Sequence, residues 1–170
     1  MIIDAALPLL LVNGEMVTTR QIADAAGIAE GTIFRAFADK DELLAAVIDT
    51  ALDPEPFERA LREIDPALPL EVTATKAVEI AQRRVVDVWR LASSIGTRFH
   101  DRAKRPILDS PGLVRLFEPH RADLSVSPAV AARTLRAFTF AMTHPMMVKK
   151  PATARDIVNR FLYGVTTRSA

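Results

Sequence analysis

The chain has 170 residues, 49% of them apolar and 25% charged, an ordinary globular balance that can bury a core without staples. It holds no cysteine, which excludes a disulfide framework and a thiolate zinc site. The opening MIIDAALPLLLVNGE lacks the basic segment and small-residue cleavage site of a secretory signal, and charges interrupt every later apolar stretch before it could span a bilayer. The expectation is a soluble, cytoplasmic protein with no membrane contact.

The hydrophobic pattern is helical throughout, with no period-2 alternation. Ile3, Leu7, Leu10 and Leu11 mark a first amphipathic helix, which Asn13-Gly14 ends with Gly14 in the left-handed conformation. Thr18 or Thr19 caps a second, short helix over Arg20–Ala26 whose inner face is Ile22, Ala23 and Ala26. Gly27 supplies a turn, and a third helix runs from about Ala29 to Phe37 with Ile33 and Phe37 inward. Asp39 caps a fourth, with Leu43, Leu44, Val47, Ile48 and Leu52 as its apolar positions and Asp41 and Glu42 in its first turn.

Proline-rich breakers at 53–56 and 65–69 bracket a short helix near Phe57–Ile64 and place a domain hinge there. A long helix starts at Leu70 and passes through Val78, Val85, Trp89 and Leu91 towards Gly96. Ser110-Pro111 and Ser127-Pro128 are both cap-plus-proline start signals. The second opens a helix with Val130, Leu135, Phe138, Phe140 and Met142. A last helix begins near Thr153 and presents Ile157, Val158, Phe161, Leu162 and Val165. The predicted fold class is all-α: residues 1–50 a three-helix, helix-turn-helix domain, residues 51–170 a second helical bundle.

The informative stretch is TTRQIADAAGIAEGTIFRAFADKDEL, residues 18–43. Two short helices meet at a glycine. The small Ala23 and Ala26 let them cross closely, and the second helix is sized for a DNA major groove. Ala29, Glu30, Thr32 and Arg35 lie on its outer face. Threonine can donate to a phosphate or touch a thymine methyl, and arginine is the commonest reader of guanine.

This stretch resembles the DNA-binding domain of the tetracycline-repressor (TetR) family. The matching positions are Thr18 and Thr19, Ile22 and Ala23, Ala26 and Gly27, Gly31 and Thr32, Phe34, Phe37, Lys40 and Leu43, without a gap. The resemblance implies that Thr19 caps its helix and touches phosphate and that Arg20 reaches a base or the backbone. It implies that Ala29, Glu30, Gly31, Thr32, Phe34 and Arg35 face the groove and that Lys40 grips a phosphate. Phe34 stands where the family has tyrosine, so a hydroxyl–phosphate contact is lost, and Ala36 stands where an aromatic residue or histidine is common. Family members carry a basic arm before the first helix, whereas this chain begins inside it. Residues 1–50 hold three cations against eight anions, a balance of −5, while DNA-binding domains are usually basic. If residue 1 is the true start, rather than one upstream of it, weaker or more selective DNA binding than the family norm is expected.

The rest of the resemblance is architectural. It implies a homodimer formed by the last two helices, with Phe138, Phe161, Leu162 and Val165 at the interface. It also implies a helical domain enclosing a small apolar or amphipathic effector, for which Trp89, Phe99, Phe117, Phe138 and Met142 are candidate lining and His100, His120 or Arg136 a candidate polar tether. The expected partner is a palindromic operator in double-stranded DNA. The three histidines fit no compact ligand spacing, so no metal and no cofactor is expected, and no nucleophile elbow or phosphate-cradling loop suggests an enzyme. Two other readings compete: a ligand-binding module whose DNA head has decayed, and a helical enzyme.

Overall fold

Short-range caps decide where most helices of this chain begin. Thr18 accepts a hydrogen bond from the N–H of Gln21, Asp39 from Glu42, Ser110 from Leu113 and Ser127 from Val130, each satisfying a backbone donor that the first helical turn leaves open. In the computed structural model, which describes residues 1–96 and 109–165 and side chains of the last helix as far as Leu162, these caps open four helices. The elements are α1 (Ile2–Asn13), α2 (Thr19–Ala26), α3 (Glu30–Ala36), α4 (Lys40–Leu52), α5 (Glu55–Arg62), α6 (Leu70–Ile95), α7 (Pro111–Phe117), α8 (Pro128–Ala141) and α9 (Ala154–Val165). Short 3-10 turns follow α1 at Gly14–Met16 and α7 at Glu118–Asp123. The fold is all-α, with an N-terminal helix-turn-helix and a C-terminal helical domain, and no strand occurs among the described residues.

The chain forms two compact units. The first comprises Met1–Asp53 and a second segment that begins at Val88. Its core joins Ala6 and Leu10 of α1, Ile22 and Ala23 of α2, Ile33 of α3 and Leu43, Leu44, Val47 and Ile48 of α4 to Leu91, Ala92 and Ile95 at the end of α6. The head is therefore built from chain on both sides of the proline breakers, which a boundary at residue 50 does not include. Ala6 and Leu10 are buried and Ile3 and Leu7 pack half-buried against the same core, whereas Leu11, expected on the inner stripe, is exposed. Gly14 has φ +56° and ψ −142°, outside the left-handed helical region expected for it. A Cβ there would lie 2.6 Å from the carbonyl oxygen of Ser94, so the position demands glycine for space as well as for torsion.

The second unit comprises Pro54–Asp87 and, among the described residues, 109–165. Phe57, Leu61 and Ile64 pack with Ala74, Ala77, Val78 and Ala81 of α6 and with Leu113, Leu116 and Phe117 of α7. Ala131, Ala132 and Leu135 of α8 and Ile157, Val158 and Phe161 of α9 complete this core. Alanines, not the β-branched residues, supply much of the inner face of α6. Phe117 and Phe161 stack with ring centroids 5.9 Å apart. Glu58 ties α5 to the start of α7: one carboxylate oxygen accepts from the Ser110 hydroxyl at 2.6 Å and the other from the Gly112 N–H at 2.7 Å. Arg115 returns the tie by donating to the carbonyls of Leu61 and Ile64. Gln82 of α6 donates to the Thr143 hydroxyl and to the Ala152 carbonyl, fixing the connection between α8 and α9.

Candidate nucleic-acid interface

The geometry of α2 and α3 follows from a capping box and a left-handed glycine. Thr18 and Gln21 satisfy each other: the Gln21 N–H donates to the Thr18 hydroxyl at 3.2 Å, and the Thr18 N–H donates to the Gln21 side-chain oxygen at 2.8 Å. The cap is thus Thr18, and Thr19 is the first helical residue, which corrects the capping role expected for Thr19. The T-x-x-Q spacing was the signal that separates the two. Gly27 closes α2 with φ +67° and ψ +33°, and the Ile28 N–H donates to the Ala23 carbonyl at 3.0 Å. The chain then enters α3 through Ala29, an exposed N-cap residue with no side-chain bond.

α3 anchors itself through one buried side chain, Ile33, while Phe37 packs half-buried just beyond the helix end. Its remaining face is open. Gly31 and Arg35 are exposed, Phe34 is 50% exposed, and Thr32 and Glu30 are half-buried. Arg20, on α2, is also exposed. Arg20, Ala29, Gly31, Phe34 and Arg35 are thus exposed and Thr32 is partly so.

Three candidate residues are engaged in ways their sequence positions did not disclose. The Thr19 hydroxyl donates to Glu30 Oε1 at 2.6 Å, linking the first residues of α2 and α3. Lys40 Nζ donates to the Glu15 carbonyl at 2.5 Å, tying α4 back to the 3-10 turn after α1. Glu42 closes the start of α4 by accepting from the Ala38 N–H at 2.5 Å. Glu15, whose carbonyl holds the lysine, belongs to this set and was missed because the contact spans 25 residues of chain.

The residues expected around an effector divide between the two units. Trp89 lies in the first and is half-buried; Phe117, Phe138 and Met142 lie in the second; Phe99 and His100 fall outside the described residues. Phe117 is fully enclosed by its stack with Phe161, Met142 packs half-buried on the same core, and Phe138 is 39% exposed. Phe161, expected at a dimer interface, is a core residue with 1% exposure; it shares the inner stripe of α9 with Ile157 and Val158. That expectation is corrected: the one-turn spacing from Ile157 and Val158 turns Phe161 inward. Leu162 is half-buried, and the Val165 side chain lies outside those described.

Two polar groups of the second unit stand out. His120 Nε2 is buried with no hydrogen-bond partner among the described residues. The Arg136 guanidinium sits 4.7 Å above the Phe57 ring and donates to the Asp109 carbonyl at 2.8 Å. Burial pulls its pKa below the usual arginine range, Glu58 and Asp109 oppose that shift and Arg84 adds to it, and the group stays protonated at neutral pH. No group of three or more metal-ligating side chains is found among the described residues, and no helix there is long and apolar enough to cross a membrane.

Comparison with known proteins agrees with this geometry. Residues 2–47 match the family described as bacterial regulatory proteins, tetR family. No curated protein matches the chain. Solved structures share its fold over almost the whole length. A putative tetR-family regulator from Mesorhizobium loti has a TM-score of 0.67 at 17% identity, covering 98% of this chain and 95% of that one. A TetR-family regulator from Pseudomonas syringae has a TM-score of 0.62 at 17% identity, covering 97% and 95%. NalD of Pseudomonas aeruginosa, the secondary repressor of the MexAB-OprM multidrug efflux pump, has a TM-score of 0.58 at 20% identity, covering 99% and 96%.

Proposed function

We propose that the chain, whose residues 2–47 match the bacterial regulatory proteins of the tetR family, is a regulator of that kind that represses transcription as a homodimer on a palindromic operator and leaves DNA when a small apolar or amphipathic effector binds. The observation that carries this reading is α3, a short helix with Ile33 as its one buried side chain, which leaves Thr32, Phe34 and Arg35 open to solvent. Such a helix can enter a major groove, and a two-fold protein reads a two-fold site. In this reading residues 1–50 meet DNA, with Arg20 on the backbone and Arg35 on a base edge, and residues 51–170 sense the effector and dimerise.

The second unit supports the remainder. Val130 and Phe138 on α8 are apolar and exposed, which suits helices that pair with a second copy. The unpartnered His120 Nε2 is a buried polar group that an effector could satisfy. NalD, a repressor of a multidrug efflux pump with the same fold, fits repression. The effector acts only as far as it prefers the conformation with the wrong half-site spacing.

The test is selection of the full chain on random duplexes at two salt concentrations. Enrichment of one palindrome, lost in Arg35→Ala, is expected. No enrichment at low salt from a folded protein would leave the ligand-binding module as the better reading.

A further inference from the structure

Thr19 and Glu30 begin the two helices of the helix-turn-helix, and the hydrogen bond between them changes what each can do at DNA. The Thr19 hydroxyl has one proton, and it is donated to Glu30 Oε1 at 2.6 Å. With that proton committed, Thr19 cannot also donate to a phosphate oxygen. The adjoining carboxylate further disfavours a phosphate at this point, because like charges repel. The phosphate contact that the resemblance implies for Thr19 is therefore not the one this pair is built to make.

The pair is suited to something else. Glu30 Oε2 receives no hydrogen bond from any described residue, so it is an open acceptor at the start of the helix that faces the groove. A glutamate side chain has three rotatable bonds, and ordering it on binding costs entropy; the bond from Thr19 meets that cost before DNA arrives. In the major groove, acidic side chains accept from the exocyclic amino group of cytosine. A carboxylate opposite an adenine or guanine N7, or a thymine or guanine carbonyl, would face another acceptor. It discriminates by rejection as well as by attraction.

We propose that Glu30 is a specificity-determining residue that accepts from the N4 amino group of a cytosine in each half-site, and that Thr19 is its positioning residue rather than a phosphate contact. The inference rests on the head being a DNA reader. It accounts for an acidic residue on a groove-facing helix within residues 1–50, which carry five more anions than cations. Cations there are few, so binding depends more on base contacts and less on the backbone.

The experiment uses the full chain and its variants Glu30→Gln, Glu30→Ala, Thr19→Val and Thr19→Ser in the same random-duplex selection. It is followed by affinities on operator duplexes carrying each of the four pairs at the implicated position, with circular dichroism melting to confirm folding. The wild type is expected to enrich cytosine at one symmetric position per half-site, with any replacement costing about fivefold or more. Glu30→Ala should bind the four duplexes equally, and the isosteric Glu30→Gln should shift preference towards adenine. Thr19→Val should lose the same preference, and Thr19→Ser should keep it. Thr19→Val weakening every duplex by one factor, with the cytosine preference intact, overturns the positioning role. An unchanged motif in folded Glu30→Ala or Glu30→Gln, or a wild-type motif without that cytosine, overturns the reading of Glu30 while leaving DNA binding in place. A wild type that enriches nothing overturns both this inference and the proposed function.

Discussion

Gly14 and Gly27 both have positive φ, +56° and +67°, yet they do different work. Gly27 closes α2 in the left-handed region, and a Cβ there would meet nothing within 4 Å. Gly27→Ala should therefore cost only the torsional penalty, roughly 1 kcal/mol. Gly14 lies against the backbone of Ser94, which cannot rotate away as a side chain would. Gly14→Ala should cost clearly more, about 2–4 kcal/mol, since a 2.6 Å clash must be relieved by moving backbone. Urea unfolding of both variants checks the order; equal losses would mean that α1 and the end of α6 can separate without cost. Glycine at 14 was legible as a helix stop. Its steric role was not, because its neighbour is 80 residues away.

At the scale of elements, the union of α5 with α7 is made by one carboxylate. Glu58 accepts from the Ser110 hydroxyl and from the Gly112 N–H, and a Cβ on Gly112 would sit 2.7 Å from that carboxylate and 3.1 Å from Leu61. Two hydrogen bonds to a charged acceptor in a half-buried setting contribute more than neutral ones. Glu58→Ala is expected to lower the stability of the second unit by about 2–3 kcal/mol. Glu58→Gln, which keeps one acceptor, should lose less. Denaturant titration followed by circular dichroism measures both, and a loss below about 0.5 kcal/mol in Glu58→Ala would show that apolar packing of Phe57 and Leu61 alone joins these helices. The sequence marked Ser110-Pro111 as a helix start, and the serine is indeed the cap. It gave no sign that Glu58, 52 residues earlier, receives the same hydroxyl's proton.

At the scale of the whole molecule, the relevant quantity is charge. Residues 1–50 supply Arg20, Arg35 and Lys40, and Lys40 already donates to the Glu15 carbonyl. A dimer using all three cations from both heads would release counterions with a slope of log K against log salt of about −5. The expected slope is no steeper than that, and Arg20→Ala should make it shallower by about 1–2 per dimer while leaving the preferred sequence unchanged. Titration of one operator duplex across salt concentrations decides. A steeper slope would mean that some of the 19 cations beyond residue 50 reach the phosphate backbone.

What the sequence determined by itself is the set of features whose causes lie within one helical turn: the caps at Asp39, Ser110 and Ser127, the glycine turn at 27, the all-α class and the helix-turn-helix of residues 18–43. A cap and the backbone N–H it accepts from are three residues apart, so composition and spacing suffice. The tertiary structure decided which of several equally apolar residues go inside, placing Phe161 in the core and leaving Phe138 exposed. It also decided that the end of α6 completes the first unit's core, that Lys40 turns back to Glu15, and that Thr19 gives its proton to Glu30. Those outcomes depend on partners 11 to 80 residues away. Burial and hydrogen-bond pairing are settled by what the folded chain brings alongside, and no local pattern encodes that.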